Sequence, residues 1–292
     1  MRHGICILPD LTWAESRPRW VLAEEMGFDH AWTYDHLVWG RMQDAPWSAC
    51  VPLLTAAAVV TARIRLGAFV VSPNFRHPVA FSREVETLVD ISDGRFLLGL
   101  GAGGTPDDLV LGQPPLSARE KVDRLREFVG SLDRTLSSDH VDADGEYYRA
   151  RDMRLGRGPV RDRVPFLLAG NGPRSVRLAV RSGDAWVTNG SPSQTLDEWF
   201  ASIARSVRIL DDELGRYPER RIDRYLHLDA SPRNSLESVG LFDEMVGRAA
   251  ELGFTDVITH WPRADEPYKA SMNVLEAIVE RGLSPEAGDI DT

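Results

Sequence analysis

The feature that most constrains the fold of this chain is a regular alternation of short apolar segments with longer amphipathic ones. Eight such pairs run through the 292 residues. Each short segment has the length of a strand, and each long segment has helical periodicity. Strands that alternate with helices form parallel sheet, because a parallel connection needs a crossover segment. The sequence therefore predicts an α/β fold, a (β/α)₈ TIM barrel, in a single domain over residues 1–283.

The predicted strands are separated by segments of very different character. The longest irregular stretch, residues 137–163, is interpreted as an insertion in the barrel, and its motif DGEYY predicts a hairpin turn. The segment GTPDDLVLGQPPLS at 104–117 is expected to be a polar loop. Residues 284–292 form an acidic tail that we expect to be disordered. The predicted strands cover residues 4–8, 30–34, 64–71, 95–103, 164–170, 185–190, 224–230 and 255–261.

A doubly wound open sheet is the alternative for a chain that alternates strands with helices. That fold would place a glycine-rich dinucleotide-binding turn directly after the first strand. The turn at this place reads PDLTW, which has no glycine. The sequence therefore favours the closed barrel.

Charge and cysteine content exclude several classes of protein. The formal net charge of −10 opposes binding to a nucleic-acid backbone. The two cysteines, Cys6 and Cys50, make no disulfide framework and have no zinc-ligand spacing. No stretch approaches the roughly 20 apolar residues of a membrane helix, and the N-terminus lacks a signal-peptide core. We expect a cytoplasmic protein without a metal site that binds neither membranes nor nucleic acids.

The residues that follow each strand are the candidates for chemistry, because barrel sites form at the carboxyl ends of the strands. Three of these turns are rich in glycine, which lets a backbone approach a ligand closely. One turn places Gly170, Asn171 and Gly172 before a helix, whose N-terminus attracts phosphate. The other candidates at this edge are Asp35, His36, Trp39, Ala102, Gly103, Asn189 and Trp261.

Several of these residues also have a purely structural interpretation. His77, next to Pro78, can cap the third helix. His227 lies inside a predicted strand, so we expect it to pack in the core. Asp35 and His36 can form an ordinary turn or helix cap. A site is predicted because the whole set lies at one edge of the barrel.

Three blocks of the sequence resemble one known family. They are YDHL at 34–37, RLGAFVVSPNFRHPVAFSREVETLVDISDGRFLLGLGAGG at 65–104 and VPFLLAGNGPRSVRLAVRSGDAWVTNG at 164–190. In content and order they resemble the luciferase-like monooxygenase superfamily. This group includes bacterial luciferase, flavin monooxygenases and reductases that use the deazaflavin coenzyme F420.

The resemblance implies a barrel that binds FMN or F420 at the strand carboxyl ends. It places His36 at the reactive face of the ring as a catalytic donor or acid/base, and it implies a non-proline cis peptide at Phe69–Val70. The cofactor-binding residues carried over are Asp35, Phe69, Val70, Ala102, Gly103, Gly170, Asn171, Gly172 and Asn189. The loops at 38–47 and 104–117 are expected to contact the substrate, with apolar walls formed by Trp39, Trp47 and Trp261.

One position departs from the family pattern. The sugar-phosphate dehydrogenases of the family carry a glutamate, proposed as an acid, where this chain has Gly104. Sugar-phosphate oxidation is therefore not expected, and the proton donor stays open. The apolar segment at 48–62 predicts a helix that is buried in the fold or in a homodimer.

Three functions stay open at this point. The preferred one is hydride transfer between F420 and a small organic substrate. The alternatives are oxygenation by reduced FMN from a separate flavin reductase and a non-catalytic flavin-binding barrel. F420 is preferred because the chain is rich in arginine, alanine and aspartate. That composition is typical of GC-rich genomes such as those of actinobacteria.

Overall fold

The computed structural model of the chain describes residues 1–40, 42–156 and 164–283. Its strands are β1 (Arg2–Cys6), β2 (His30–Thr33), β3 (Arg65–Val71), β4 (Phe96–Leu100), β5 (Val141–Asp144), β6 (Arg149–Met153), β7 (Phe166–Ala169), β8 (Ala185–Thr188), β9 (Asp223–His227) and β10 (Asp256–His260). Its helices are α1 (Trp13–Glu25), α2 (Cys50–Val60), α3 (Pro78–Ile91), α4 (Thr105–Val110), α5 (Ala118–Ser137), α6 (Pro173–Ser182), α7 (Leu196–Leu214), α8 (Val239–Glu251) and α9 (Met272–Glu280).

The barrel is closed by β1–β4 and β7–β10, in the order β1-β10-β9-β8-β7-β4-β3-β2. All neighbouring pairs in this sheet are parallel. Its strands are almost continuously buried because helices cover the outside and side chains fill the inside. The predicted (β/α)₈ TIM barrel is confirmed.

Two layers of apolar side chains stabilise this architecture. The outer layer lies between the strands and the helices and includes Trp20, Trp186 and Trp199, all fully buried. The inner layer fills the barrel itself, where Trp32 packs edge-on against Phe69. Burying aromatic side chains of this size removes a large apolar area from water and accounts for much of the stability of the barrel.

Local sequence signals explain where several helices begin. α5 and α7 each start with a capping box, in which a serine or threonine side chain and a glutamate three residues later satisfy free backbone N–H groups. α3 begins at Pro78, and the His77 side chain accepts a hydrogen bond from the Val79 N–H. The prediction that His77 caps the third helix is confirmed.

The structure corrects two expectations about the segments between the strands. The stretch predicted as a polar loop contains α4, which Pro106 and two aspartates in its first turn favour as a helix start. Helix α2 is not buried on all sides, because Val59 is 72% exposed. The predicted insertion contains the antiparallel hairpin β5–β6, in line with its DGEYY turn. Residues 157–163 and the tail at 284–292 lie outside the described residues.

Candidate active site

A cavity of about 570 Å³ opens at the carboxyl ends of the barrel strands. It lies over the ends of β2, β3, β4, β7, β8 and β9, at the edge that the sequence indicates. Most of the sequence-predicted site residues contribute to its lining. These are His36, Trp39, Phe69, Val70, Ala102, Gly103, Gly170, Asn171 and Asn189.

His36 is held at the cavity by a buried aspartate. Its Nδ1 lies 2.9 Å from Oδ2 of Asp107, whose side chain is fully buried at the start of α4. The other carboxylate oxygen of Asp107 accepts the backbone N–H of Leu37 at 2.8 Å. Burial alone would raise the pKa of Asp107, but the His36 hydrogen bond and two backbone N–H groups hold it below its usual value. The ionised carboxylate therefore accepts a hydrogen bond from the Nδ1–H of His36, and this tautomer leaves Nε2 as an acceptor.

The exit of β3 forms a second buried network beneath the rim. Asp35 is ion-paired with Arg76 at 2.5 Å and accepts the Ser72 N–H at 3.3 Å. Burial raises the pKa of Asp35, and the Arg76 charge opposes that effect. Asn74 hydrogen-bonds both Ser72 and Asp108. These contacts tie the β3 exit to β2 and α4, and Asp35 itself lies behind the cavity lining.

The wall of the cavity next to β3 has an irregular backbone. The peptide between Phe69 and Val70 is cis, as the resemblance implies. The pairing register of β3 with β4 shifts between Ala68 and Val71 at the same place. A Cβ added at Gly101 would overlap the Val70 side chain, so glycine keeps the two strands close.

The turns after β7 and β8 are joined by a pair of asparagines. Oδ1 of Asn171 accepts the Thr188 hydroxyl at 2.8 Å and the Asn189 N–H at 3.3 Å. Gly172 is the N-cap residue of α6 and lies just outside the cavity lining. The turn therefore presents backbone and amide groups beside the first turn of a helix.

The opposite wall of the cavity is aromatic. The Trp39 ring stacks on Tyr268 with centroids 5.9 Å apart and on Trp47 with centroids 6.2 Å apart. Trp39 and Tyr268 line the cavity, whereas Trp47, expected as another wall of the pocket, packs on Trp39 outside the lining. Tyr34 completes this wall, edge-on to Trp39.

Trp261 does not line the cavity, although the sequence predicts it as an apolar wall of the substrate pocket. It is 6% exposed, and the Arg19 guanidinium lies 6.0 Å from its ring centroid, within the outer core. The backbone N–H of Trp261 donates to the backbone carbonyl of Cys6, which continues the β10–β1 pairing by one residue. Side chains alternate along a strand, so His260 points into the barrel and Trp261 points away from it.

His227 is buried in β9, as expected from the sequence, with 3% exposure, and it also lines the cavity. It is the last residue of β9, and its Nε2 lies 3.4 Å from Nδ1 of His260. His260 in turn contacts Asp229 and Tyr34. Burial lowers the pKa of His227 to about 3, and the neighbouring His260 adds to this effect. Burial also lowers the pKa of His260 below its usual value, so both rings are neutral near pH 7.

Comparison with known proteins identifies the family. A model described as luciferase-like monooxygenase matches residues 1–239. The chain belongs to the luciferase-like monooxygenase family. It is 30% identical, over 84% of its length and 87% of the relative, to the F420-dependent glucose-6-phosphate dehydrogenase of Beutenbergia cavernae. It is 33% identical to the enzyme of the same description in Nakamurella multipartita, over 85% of this chain and 78% of the relative.

Solved structures share the barrel at lower sequence identity. An F420-dependent secondary alcohol dehydrogenase in complex with an F420–acetone adduct superposes with a TM-score of 0.79 at 16% identity, over 96% of this chain and 97% of the other. The F420-dependent tetrahydromethanopterin reductase of Methanopyrus kandleri gives 0.75 at 18%, with the same shares covered. These likenesses show the fold.

Two kinds of feature are absent from the part of the chain that the structure describes. No group of three or more His, Cys, Asp or Glu side chains is placed to hold a metal ion. Within the same residues, no helix combines the length and apolar character needed to cross a membrane.

Proposed function

We propose that the protein is an oxidoreductase that transfers a hydride between coenzyme F420 and a small neutral alcohol or carbonyl compound at the carboxyl-terminal rim of the barrel. The observation that carries this proposal is the Asp107-anchored His36 in the rim cavity of a luciferase-like barrel. The relatives at 30% and 33% identity are F420-dependent dehydrogenases, which supports F420 over FMN.

The cavity is suited to a flat tricyclic ring with a phosphate-bearing tail. Glycines at 101, 103 and 170 leave bare backbone along one side, and a Cβ at Gly170 would overlap Ser175. The first N–H groups of α6 favour an anion, which fits the phosphate that F420 and FMN both carry. The residues proposed to hold the cofactor are Phe69, Val70, Ala102, Gly103, Gly170, Asn171 and Asn189, with Asp35 and Gly172 acting from behind the lining.

F420 would supply the hydride donor or acceptor, and the chain supplies orientation and proton handling. Asp107 fixes His36 with its Nδ1–H turned away, so Nε2 offers a lone pair at the cavity. The His36 side chain is 26% exposed, so it can exchange protons with solvent. A histidine held in one tautomer and orientation is suited to acid–base catalysis near neutral pH.

The lining chemistry points to a neutral substrate. Beside His36, the cavity presents aromatic rings such as Tyr34 and Trp39, aliphatic groups such as Val122 and Val187, and neutral amides and hydroxyls. A compact secondary alcohol or ketone matches these surfaces. At Gly104 the lining is backbone, where the sugar-phosphate enzymes of the family are expected to carry a glutamate.

Two measurements on the purified protein test the proposal. Fluorescence titration with F420 and with FMN should give saturable binding of F420 in the micromolar range and weaker binding of FMN. Anaerobic assays with secondary alcohols and with glucose 6-phosphate should show F420 reduction by an alcohol. Tighter binding of FMN with oxygen-dependent turnover would favour the monooxygenase function. Binding of neither cofactor would overturn the proposal, and preference for glucose 6-phosphate would overturn the substrate class.

We also propose a homodimer in the cytoplasm, with a separate reductase recycling the cofactor. The exposed face of α2, marked by Val59 at 72% exposure, and Ile91 at 39% on the adjacent helix α3 support an apolar interface. Light scattering should give twice the monomer mass of 32.5 kDa. A monomer at all concentrations would contradict the dimer.

A further inference from the structure

We propose that Tyr268, Tyr34 and His260 form a proton relay that ends on Asp229, and that the Tyr268 hydroxyl exchanges a proton with the substrate in the cavity. The relay goes beyond the assignment of His36 and rests on the proposed function for the identity of the substrate.

The anchor of the relay is a fully surrounded carboxylate. Oδ1 of Asp229 accepts the Ser235 N–H at 2.7 Å, and Oδ2 accepts the His260 backbone N–H at 2.6 Å and the Thr259 hydroxyl at 3.1 Å. Burial alone would raise the pKa of Asp229, but its donors and the neighbouring histidines lower it to about 2. Asp229 is therefore an ionised acceptor.

This carboxylate sets the direction of each hydrogen bond in the relay. Oδ2 of Asp229 lies 3.1 Å from Nδ1 of His260, so Nδ1 carries the proton and Nε2 is an acceptor. The Tyr34 hydroxyl lies 2.9 Å from that Nε2 and donates to it. The Tyr34 oxygen then accepts from the Tyr268 hydroxyl at 3.0 Å. Tyr268, Tyr34 and His260 therefore each donate a hydrogen bond in the direction of Asp229.

His227 agrees with this assignment. Its Nδ1 lies 3.3 Å from Oδ1 of Asn189, to which it donates, and this leaves its Nε2 as an acceptor facing Nδ1 of His260. The two rings therefore meet with one donor and one acceptor and no excess proton. His227 thereby holds the His260 ring in the orientation that the relay needs.

The tyrosines connect the cavity to a histidine that the cavity does not reach directly. Tyr34 and Tyr268 line the cavity, whereas the His260 side chain is 1% exposed. The Tyr268 ring lies flat on His260, with centroids 3.5 Å apart and an angle of 7°. Its backbone has φ +67°, an uncommon value for a bulky residue that occurs mainly where the surrounding structure imposes it.

Oxidation of an alcohol releases a hydride from carbon and a proton from oxygen. The substrate C–H bond breaks with its electron pair, and a bound deazaflavin would supply the acceptor for that hydride. The substrate O–H proton passes to the Tyr268 oxygen, the Tyr268 proton to Tyr34, and the Tyr34 proton to Nε2 of His260. The imidazolium formed lies against ionised Asp229. Carbonyl reduction runs the same transfers in reverse.

A concerted relay also explains why phenols are present at all. Burial raises the pKa of Tyr34 well above its usual value, so a phenolate is disfavoured there. A tyrosine that gains one proton as it gives up another never becomes a negatively charged phenolate. His36 keeps a different role: it is partly exposed, so it carries protons between the cavity and solvent, whereas the relay takes the proton from the substrate oxygen.

Three variants test the relay through kinetics: Tyr268→Phe, Tyr34→Phe and the double variant. Each removes a hydroxyl and keeps a ring. We expect each single variant to lower kcat for alcohol oxidation about 100-fold, and the double variant to lose no more than either single one. The matched control is Tyr148→Phe, which removes a buried hydroxyl that donates to the Pro73 carbonyl at 3.0 Å. That control should retain kcat.

A second readout needs neither cofactor nor turnover. Histidine ¹⁵N NMR on the apoprotein should show His260 as the Nδ1–H tautomer, and Tyr34→Phe should shift its Nε2 resonance. An Nε2–H tautomer overturns the relay, as do single variants with wild-type kcat or losses that multiply in the double variant. If none of the alcohols supports F420 reduction by the wild-type protein, the proposed function is overturned instead. The NMR experiment then still decides which nitrogen of His260 carries the proton.

Discussion

The two ends of the barrel both contain a buried aspartate–histidine pair, and the cavity of about 570 Å³ lies at the carboxyl end. At the amino end, Asp256 accepts the Arg2 guanidinium at 2.8 and 2.7 Å and lies 3.0 Å from Nε2 of His30. The Trp32 indole N–H donates to the remaining nitrogen of His30 at 2.6 Å. Both ring nitrogens of His30 are thus used within the protein, and the network is closed.

At the carboxyl end, the corresponding networks stay open. His36 uses Nδ1 for Asp107 and lines the cavity, and the proposed relay from Asp229 ends on Tyr268, which lines the same cavity. The same pair of residue types therefore stabilises the barrel at one end and is available to a ligand at the other. Substitutions at the rim should change activity more than stability, and substitutions at the amino end should do the reverse.

The largest expected effect comes from His36→Asn. The asparagine amide can still donate to Asp107, but it cannot carry a proton from the cavity. We expect kcat to fall about 10²- to 10⁴-fold while the F420 dissociation constant and Tm stay close to wild type. Steady-state kinetics, fluorescence titration and thermal melting measure the three quantities. A wild-type kcat would move the catalytic role to another residue.

Acid should destabilise the rim through its neutral histidines. The pKa of His227 is lowered from 6.5 to about 3 in the folded protein, so the unfolded chain binds more protons between these values. Stability should therefore fall as the pH drops from about 6.5 toward 3, by an amount on the order of a few kcal/mol. Urea unfolding at several pH values checks this. His227→Asn should flatten the dependence, and an equally steep one would refute the assignment.

Gly4→Ala should disturb the amino end without touching the rim. A Cβ at this position of β1 would overlap the His30 imidazole, which is itself fully buried and hydrogen-bonded. Overpacking of this kind costs about 1–3 kcal/mol of unfolding free energy. Chemical denaturation should show that loss while kcat of the folded protein is retained. A large loss of kcat with unchanged stability would break the proposed division between the two ends.

The smallest expected effect is a gain in stability. Gly130 lies inside α5, and a Cβ there meets nothing within 4 Å. Gly130→Ala should therefore raise the free energy of unfolding by about 0.5–1 kcal/mol through helix propensity alone. It is also the matched glycine-to-alanine control for Gly4→Ala. A destabilised Gly130→Ala variant would mean that the effect at Gly4 is not specific to the amino end.

The sequence predicted the barrel well because alternation of strands and helices is a property of many residues at once. Single boundaries were less certain: the first strand begins at Arg2 rather than Gly4, since pairing with β10 starts there. Helix α4 was missed because Thr105–Val110 is too short for a periodic signal, although Pro106 and the acidic first turn were available.

The candidate site was predicted where a turn directly follows a strand and missed where partners come from elsewhere. Asp107 reaches His36 across 71 positions, and no local pattern encodes that distance. Tyr268 lies in the loop after β10, beyond any strand end. His227 looked like a core residue because the last residue of a barrel strand has the same local pattern as its interior.

Hydride transfer at the rim is the central claim, and isotope tracing tests it most directly. Secondary alcohols deuterated at the carbinol carbon would be incubated anaerobically with wild-type protein and oxidised F420 in ordinary water, and the reduced cofactor examined by NMR. We expect deuterium at C5 of the deazaflavin in at least one reaction. Reduction that places only solvent protium at C5, or no reduction with any of the alcohols, would contradict the claim.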